Sequence, residues 1–440
     1  MKISKLHIDQ FRHLENLDFD FTYPEDFHIE EKRGKPLDKI CFIGQSATGK
    51  TGLLELIYKE SLRLQNAVRF EELTEHVKPS HSNSDCIPSG LINFISGTIN
   101  RSFIIGETNT EPVFYEFQKD EVLSNWETEQ LITPKQNENA FYFKANLISD
   151  KNIDIFTKNP IDLFEKYREK IQLVDTTFVG QEDFNSSFDE NVEPEMWLFL
   201  LQEILRYRKN FTQKMSDFVH KKPITDISTI QLEFDKWQKE NPNKIEEFAK
   251  EFNPLLEKLN LEVDLVNTEY SIPIKNKKTE EIIPIQNTST GTKGLLLSFL
   301  PLFKLETKDS IILIDEPERS LYPDMQMELM DHYQRLAHDA QFIIATHSPF
   351  IAASFEPEER FILYFDNEGK VAVRRGSSPI GDDPNDMLKN DFGVNYYNKY
   401  GEEAYQKYVA LKQEVANETD PKRKKELLLE TVKLGDTYNF

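Results

Sequence analysis

Apolar and polar residues alternate at the start of the chain. "KISKLHIDQF" and "ENLDFDFTY" carry an apolar side chain at nearly every second position, which predicts two half-buried strands within residues 2–22. The charged "EEKRGKP" breaks that period and predicts a turn. Ile40, Cys41, Phe42 and Ile43 then form a continuous apolar run, the pattern of a strand covered on both faces. From Thr51 to about Gln65 the apolar spacing becomes helical. Residues 75–90, rich in Ser, Pro and Asn, predict a loop. "LINFISGTI", "RSFIIGE" and "PVFYEF" return to a strand pattern over 91–118, and "NAFYFKANLI" (139–148) adds a further strand.

Between about 160 and 262 the period is mainly helical, as in "EPEMWLFLLQEILRYRKNFTQKMSDFVHKK", "TIQLEFDKWQKE" and "IEEFAKEFNPLLEKLNL". No heptad register is sustained, so the pattern predicts a compact helical insertion rather than a long coiled coil. The strand signal resumes with "SIILIDEP". "MQMELMDHYQRLA" follows as a helix and "AQFIIATHSPF" as another buried strand. Buried strands separated by helices predict an α/β fold with a largely parallel sheet. The expected division is a head made of residues 1–155 and 283–375, a helical insertion at 156–282, and a charged helical region at 376–440 that could dock a partner.

Composition narrows the picture. The 440 residues are 38% hydrophobic, enough for a sizeable core. No apolar run approaches the roughly 20 residues that span a bilayer. The opening residues lack the apolar centre of a secretion signal, and Cys41 and Cys86 make neither a disulfide framework nor a zinc site. Cys41 reads as a small buried hydrophobe. A cytoplasmic location is expected, with no membrane partner. The net charge of −23 opposes a surface coated with phosphate-binding cations. Local basic patches remain at Lys275–Lys278 and Lys422–Lys425, each more simply read as a solvated loop or helix face.

Three segments carry chemistry. "GQSATGKT" (44–51) joins the apolar strand to the helix as G-x-x-x-x-G-K-T. In that context Gly44 and Gly49 permit tight turns, and the backbone N–H groups of Gln45, Ser46, Ala47, Thr48 and Gly49 can face phosphate oxygens. Lys50 can reach the terminal phosphates, Thr51 can hold Mg²⁺, and Gly52 opens the helix beside them. "IILIDEP" (311–317) brings Asp315 and Glu316 to a strand end, Asp315 as a metal-holding carboxylate and Glu316 as the group that polarises the attacking water. "ATHSPFI" places His347 at the end of another strand; such a histidine is often structural, but the polar Thr-His-Ser cluster suits a switch near the γ-phosphate. Asp382, Asp383 and Asp386 read better as a helix-capping turn than as a metal cluster.

Taken in order, "LHIDQFRHL", "GQSATGKT", "STGTKG", "LIDEPERSLYPDMQ" and "ATHSP" resemble the RecF/SMC/OLD-like branch of the ABC-type ATPases. Within it the chain resembles stand-alone ATPase subunits of bacterial antiphage systems such as Septu and PARIS. The resemblance covers residues 1–65 and 283–355 and implies an ABC-type head that binds and hydrolyses ATP with Mg²⁺. Ser289, Thr290 and Gly291 match the branch's signature segment, with Thr290 where a glycine is usual, and Ser320 stands in the D-loop position. Arg12, after Phe11, matches a residue beside the base or ribose. The Q-loop glutamine is expected at Gln181, with Gln136 or Lys144–Asn146 as competitors.

The resemblance further implies an ATP-dependent homodimer in which Ser289 of one copy meets the γ-phosphate held by Lys50 of the other, with hydrolysis at Glu316 opening the pair. Nucleases of the OLD type carry a metal-dependent module after the ATPase. Here about ninety residues follow His347, without the strand and glutamate such a module needs. A separate effector, a nuclease, is therefore the expected partner in antiphage defence. The alternative is a RecF-like ATPase of recombination or repair that binds duplex DNA itself. A transporter subunit fits less well, because of the long segment between Lys50 and Ser289 and the "SLYPDMQ" after Glu316.

Overall fold

The computed structural model describes residues 1–73, 90–96, 99–105, 113–116, 121–123, 139–169, 187–221, 227–267, 269–394, 399–438 and 440. The chain forms two compact units, Met1–Gly381 and Asp382–Phe440.

The alternating N-terminal segment becomes β1 (Lys2–Phe11) and β2 (Leu14–Asp20), paired antiparallel. They belong to a six-stranded antiparallel sheet ordered β2-β1-β4-β5-β6-β7, completed by β4 (Gly90–Ser96), β5 (Ile99–Ile105), β6 (Val113–Glu116) and β7 (Glu121–Leu123). Its alternation is that of a sheet with one covered face: Ile3, Leu6, Ile8, Leu17, Phe19, Ile92 and Phe94 are buried.

The continuous apolar runs form a second sheet. It contains β3 (Lys39–Gly44), β8 (Ala140–Phe143), β9 (Ser187–Phe188), β13 (Ile311–Asp315), β14 (Gln341–Ala345), β15 (Arg360–Phe365) and β16 (Val371–Arg375). The order is β16-β15-β3-β14-β13-β8-β9, parallel throughout except for the antiparallel edge strand β16. The fold is thus α/β with a mixed sheet. Strand β8 is shorter than the apolar segment that predicts it, ending at Phe143.

Between the sheets lies one core. Helix α1 (Lys50–Leu73) contributes Leu53, Leu54, Leu56 and Ile57 to it. Phe19 and Phe42 meet edge to face at 5.7 Å, and Phe21 meets Phe361 at 4.9 Å. A buried amide joins the sheets: Gln341 accepts from the Ile3 N–H at 2.7 Å and donates to the carbonyls of Ile3 at 2.9 Å and Leu37 at 2.7 Å. Cys41 is fully buried in β3, as a small hydrophobe would be.

The middle of the chain is helical, with α2 (Asp150–Thr157), α3 (Pro160–Lys166), α4 (Pro194–Lys221), α5 (Ile227–Glu240) and α6 (Lys244–Glu257). Buried Asn152 ties α2 to its surroundings. It accepts from Trp197 Nε1 at 3.1 Å and donates to the carbonyls of Leu147 and Asp189. A three-stranded antiparallel sheet, β10 (Leu261–Val263), β11 (Ile274–Asn276) and β12 (Ile282–Ile283), leads to α7 (Thr290–Lys304). Phe299 of α7 packs on Phe252 of α6 at 4.9 Å. Helix α8 (Pro323–Leu336) connects β13 to β14, and the short α9 (Pro349–Ala352) follows β14.

The second unit holds α10 (Pro384–Asn390), α11 (Lys399–Asn417) and α12 (Pro421–Tyr438). Asp383 caps α10 by accepting from the Asn385 N–H at 2.7 Å, the role its sequence context suggests. Among the described residues no helix is long and apolar enough to cross a membrane.

Gln341→Leu fits the volume but strands three buried backbone groups. Each costs roughly 1 kcal/mol or more, so the variant should lose about 3 kcal/mol of stability. Urea unfolding checks this; an unchanged midpoint would show that the amide does not join the sheets.

Candidate functional site

Strands β3, β13 and β14 are parallel neighbours, so their C-terminal ends lie along one edge of the sheet. A cleft of about 440 Å³ opens there, lined by His13, Ser46, Ala47, Gly49, Lys50, Thr51, Gly52, Asp315, Glu316, Ala345 and His347. The three chemistry-bearing segments therefore converge, although 264 positions separate Thr51 from Asp315.

The loop 44–49 is shaped by backbone demands. Gly44 has φ +145°, and a Cβ there would lie 2.1 Å from the Leu363 carbonyl oxygen. Gly49, at φ +92°, leaves room for Leu14 and His13. Ala47 also takes a left-handed conformation, at φ +66°. Gly44, Gln45 and Thr48 shape the cleft without lining it. Thr48 is buried and donates to the Gln45 carbonyl at 2.8 Å, while the Gly44 and Gln45 carbonyls each accept from Lys50 Nζ at 3.0 Å.

Charge is concentrated at the strand ends. Burial lowers the Lys50 pKa to about 8, against the pull of Asp315, Glu316 and Glu318, so the ammonium is still mostly charged at neutral pH. Burial raises Asp315 to about 6, opposed by the Thr51 hydroxyl, which donates to Asp315 Oδ2 at 2.9 Å. A Thr hydroxyl and a carboxylate oxygen in contact form the hard-oxygen pair that suits Mg²⁺. Glu316 lies in the left-handed region at φ +49°, held by its N–H donating to the Ala345 carbonyl at 2.8 Å. Burial and the nearby Lys50 lower the pKa of His347. A mainly neutral imidazole can donate through one nitrogen and accept through the other.

The turn after β1 holds a residue that the sequence reading passes over. Arg12 has φ +57°, and its guanidinium, beside Gly52, donates to Glu55 at 2.7 Å. His13 faces the loop instead and lines the cleft. No sequence signal marks it beyond its place beside the Phe-Arg pair.

The signature and D-loop positions lie outside the residues lining this cleft. Ser289 caps α7, its Oγ accepting from the Thr292 N–H at 3.1 Å; Thr290 begins the helix. Gly291 packs so closely that a Cβ would lie 2.5 Å from the Ser320 carbonyl oxygen, and Ser320 itself has φ +63°. Gln181 and Gln136 lie outside the described residues. Of the expected Q-loop segments, Lys144–Asn146 is described; it follows β8, and Arg319 binds the Ala145 carbonyl at 3.0 Å and the Asn146 side chain. The basic segments are neutralised in part. Lys275 pairs with Glu280 and Glu262, Lys277 with Glu257, and Arg423 with Glu426.

A strand–loop–helix phosphate cradle beside strand-end carboxylates is the site of a P-loop nucleoside triphosphatase. The chain belongs to the AAA ATPase domain family, whose model matches residues 1–352, and it is an ATPase. No curated protein matches it in sequence. Similar solved structures include the SMC head domain from Thermotoga maritima, at 12% identity and a TM-score of 0.38, covering 86% of this chain and 100% of that one. The SMC head bound to the C-winged helix domain of ScpA has 14% identity and a TM-score of 0.41, covering 86% and 98%. The Smc head domain with an extended coiled coil bound to the C-terminal domain of ScpA, derived from Pyrococcus furiosus, has 13% identity and a TM-score of 0.36, covering 86% and 96%. Likenesses this distant leave the assignment resting on the family match.

Asp315 favours its protonated form in the fold more than in the unfolded chain. The cost of ionising the carboxylate is therefore absent below the ordinary value of 3.8, builds as pH rises, and is complete above about 6. Without nucleotide or metal, Asp315→Asn should melt at a higher temperature than wild type at pH 7.5, and the difference should close towards pH 4. Melting curves across that range check the sign; a variant less stable at pH 7.5 contradicts it.

Proposed function

We propose that the protein is an ATP-driven switch that closes into a homodimer on Mg-ATP and thereby controls a separate effector. The observation that carries this reading is the one-sided cleft. Phosphate loop, carboxylates and histidine gather on one face, whereas Ser289 caps α7 outside it and Gly291 lies in the first turn of that helix. A second copy supplies the missing side: its Ser289 meets the γ-phosphate held by Lys50. Thr51 and Asp315 would hold Mg²⁺, which would supply charge neutralisation to the phosphates. Glu316 orients the attacking water, and His347 contacts the terminal phosphate. Hydrolysis then releases the clamp. Ser320 approaches the partner, and His13 rather than Arg12 touches the nucleotide from the β1 turn.

The effector is proposed to be a nuclease, with the pair acting in bacterial antiphage defence in the cytoplasm. The motif resemblance to stand-alone ATPase subunits of such systems supports this. A net charge of −23, together with the pairing of Lys275 and Lys277 to carboxylates, favours a protein partner over duplex DNA.

Glu316→Gln should bind ATP but turn over at least 100-fold more slowly, a usual scale for losing a general base. With Mg-ATP it should double in mass by light scattering. A variant that stays monomeric under saturating Mg-ATP overturns the sandwich dimer. Turnover stimulated by duplex DNA in the wild type would replace the protein-partner reading with a RecF-like clamp.

His13→Ala should weaken ATP and ADP binding about tenfold, the scale of one hydrogen bond to a charged group. Arg12→Ala should change it less than twofold. Fluorescent-nucleotide titration separates them, and the reverse order would return the contact to Arg12.

A further inference from the structure

The loop after β13 does more than carry Glu316. Glu318 Oε1 accepts the backbone N–H of His347 at 2.8 Å, joining the end of β13 to the end of β14. Burial pushes the carboxyl pKa up, and the hydrogen bond from His347 pulls it back. A second bridge runs in parallel. Gln326 accepts from the Ser348 hydroxyl and donates to the Leu321 carbonyl at 2.7 Å.

The same loop reaches two further segments. Arg319, next to Glu318, binds the Ala145 carbonyl and the Asn146 side chain. The Ser320 carbonyl presses on Gly291 so closely that no Cβ fits between them. Glu316 and Ser320 are both left-handed, a conformation that costs a non-glycine residue energy and persists only where surrounding contacts enforce it. Residues 316–321 thus form a strained, cross-braced bridge. One end touches the histidine loop and the other touches the start of α7.

We infer that Glu318 is the positioning residue that sets His347 for catalysis and couples its position to the signature segment through the loop 318–320. This rests on the proposed contact between His347 and the terminal phosphate. Glu318 itself touches no substrate. It fixes the His347 backbone, and a displacement of that backbone as phosphate departs is passed by the carboxylate to Ser320 and hence to Gly291. Towards His347 the carboxylate oxygen matters as an acceptor, a part that an amide oxygen can take; its charge acts separately, on Lys50. Misplacing a catalytic group by about 1 Å can cost 100-fold in rate, so a single acceptor is enough to matter.

The test compares kcat and KM for ATP in Glu318→Ala, Glu318→Gln, His347→Ala and the double variant Glu318→Ala/His347→Ala. Glu318→Ala should lose at least tenfold in kcat with KM within threefold of wild type. Glu318→Gln should recover to within threefold of wild type. The double variant should be no slower than His347→Ala alone, because both changes remove one device. If Glu318→Ala does not fold, Glu318→Gln still decides: a tenfold loss of kcat there overturns the inference. A Glu318→Ala enzyme with wild-type kcat overturns it while leaving the proposed function intact, provided that His347→Ala is impaired. A wild-type rate in His347→Ala removes the phosphate contact itself, and with it this inference, while the sandwich dimer is still decided by light scattering.

Discussion

A Cβ on residue 44 would lie 2.1 Å from the carbonyl oxygen of Leu363, and the nucleotide site depends on that close approach. Strand β3 runs in the middle of the sheet between β14 and β15. The chain must leave it at the sheet edge and reverse into α1 without displacing β15. A glycine at φ +145° permits this. The turn that results points backbone N–H groups and the start of α1 at one small volume, where an anion is favoured. Because β13 and β14 are parallel to β3, their ends deliver Asp315, Glu316 and His347 to the same volume.

Electrostatics at this edge is a balance between burial and opposite charge. Lys50 and Asp315 are both driven towards neutrality by burial, and each is held back by the other. Backbone carbonyls of Gly44 and Gln45 satisfy the ammonium, and the Thr51 hydroxyl satisfies the carboxylate. Such a site is poised for ligands that carry charges of both signs, as a magnesium–triphosphate complex does. The surrounding network is also mechanically continuous. Strand-end loops are cross-linked by Glu318 and Gln326, and they abut the cap of α7. Events at the phosphate end therefore have a physical route to the surface where a second copy is proposed to bind.

Much of the site is legible in the sequence because its elements announce themselves locally. "GQSATGKT" is a contiguous loop whose glycines and lysine have one geometric use between a strand and a helix. "IILID" is a fully buried run that ends in Asp315 and "QFIIA" one that Thr346 and His347 follow, so these polar side chains had to lie at a strand end. His13, Glu318 and the Arg319 contact with residues 145–146 were not legible. Each acts through a partner far away in sequence, and a histidine, glutamate or arginine in a loop carries no periodic signal. The pairing of Arg12 with Glu55 likewise depends on how the β1 turn meets α1.

By itself, the sequence determined the N-terminal strands, the buried runs of β3, β13 and β14 with helices between them, and that one loop is built for phosphate. Those properties follow from side-chain period and backbone permissiveness over a few residues. Tertiary structure decided the strand order, and with it the meeting of Thr51 and Asp315 across 264 positions. It also decided that Gln341 would join the two sheets, that Ser187–Phe188 would become an edge strand, and that Gly291 would lie against Ser320. These are long-range contacts, selected by the packing of whole elements rather than by any local preference.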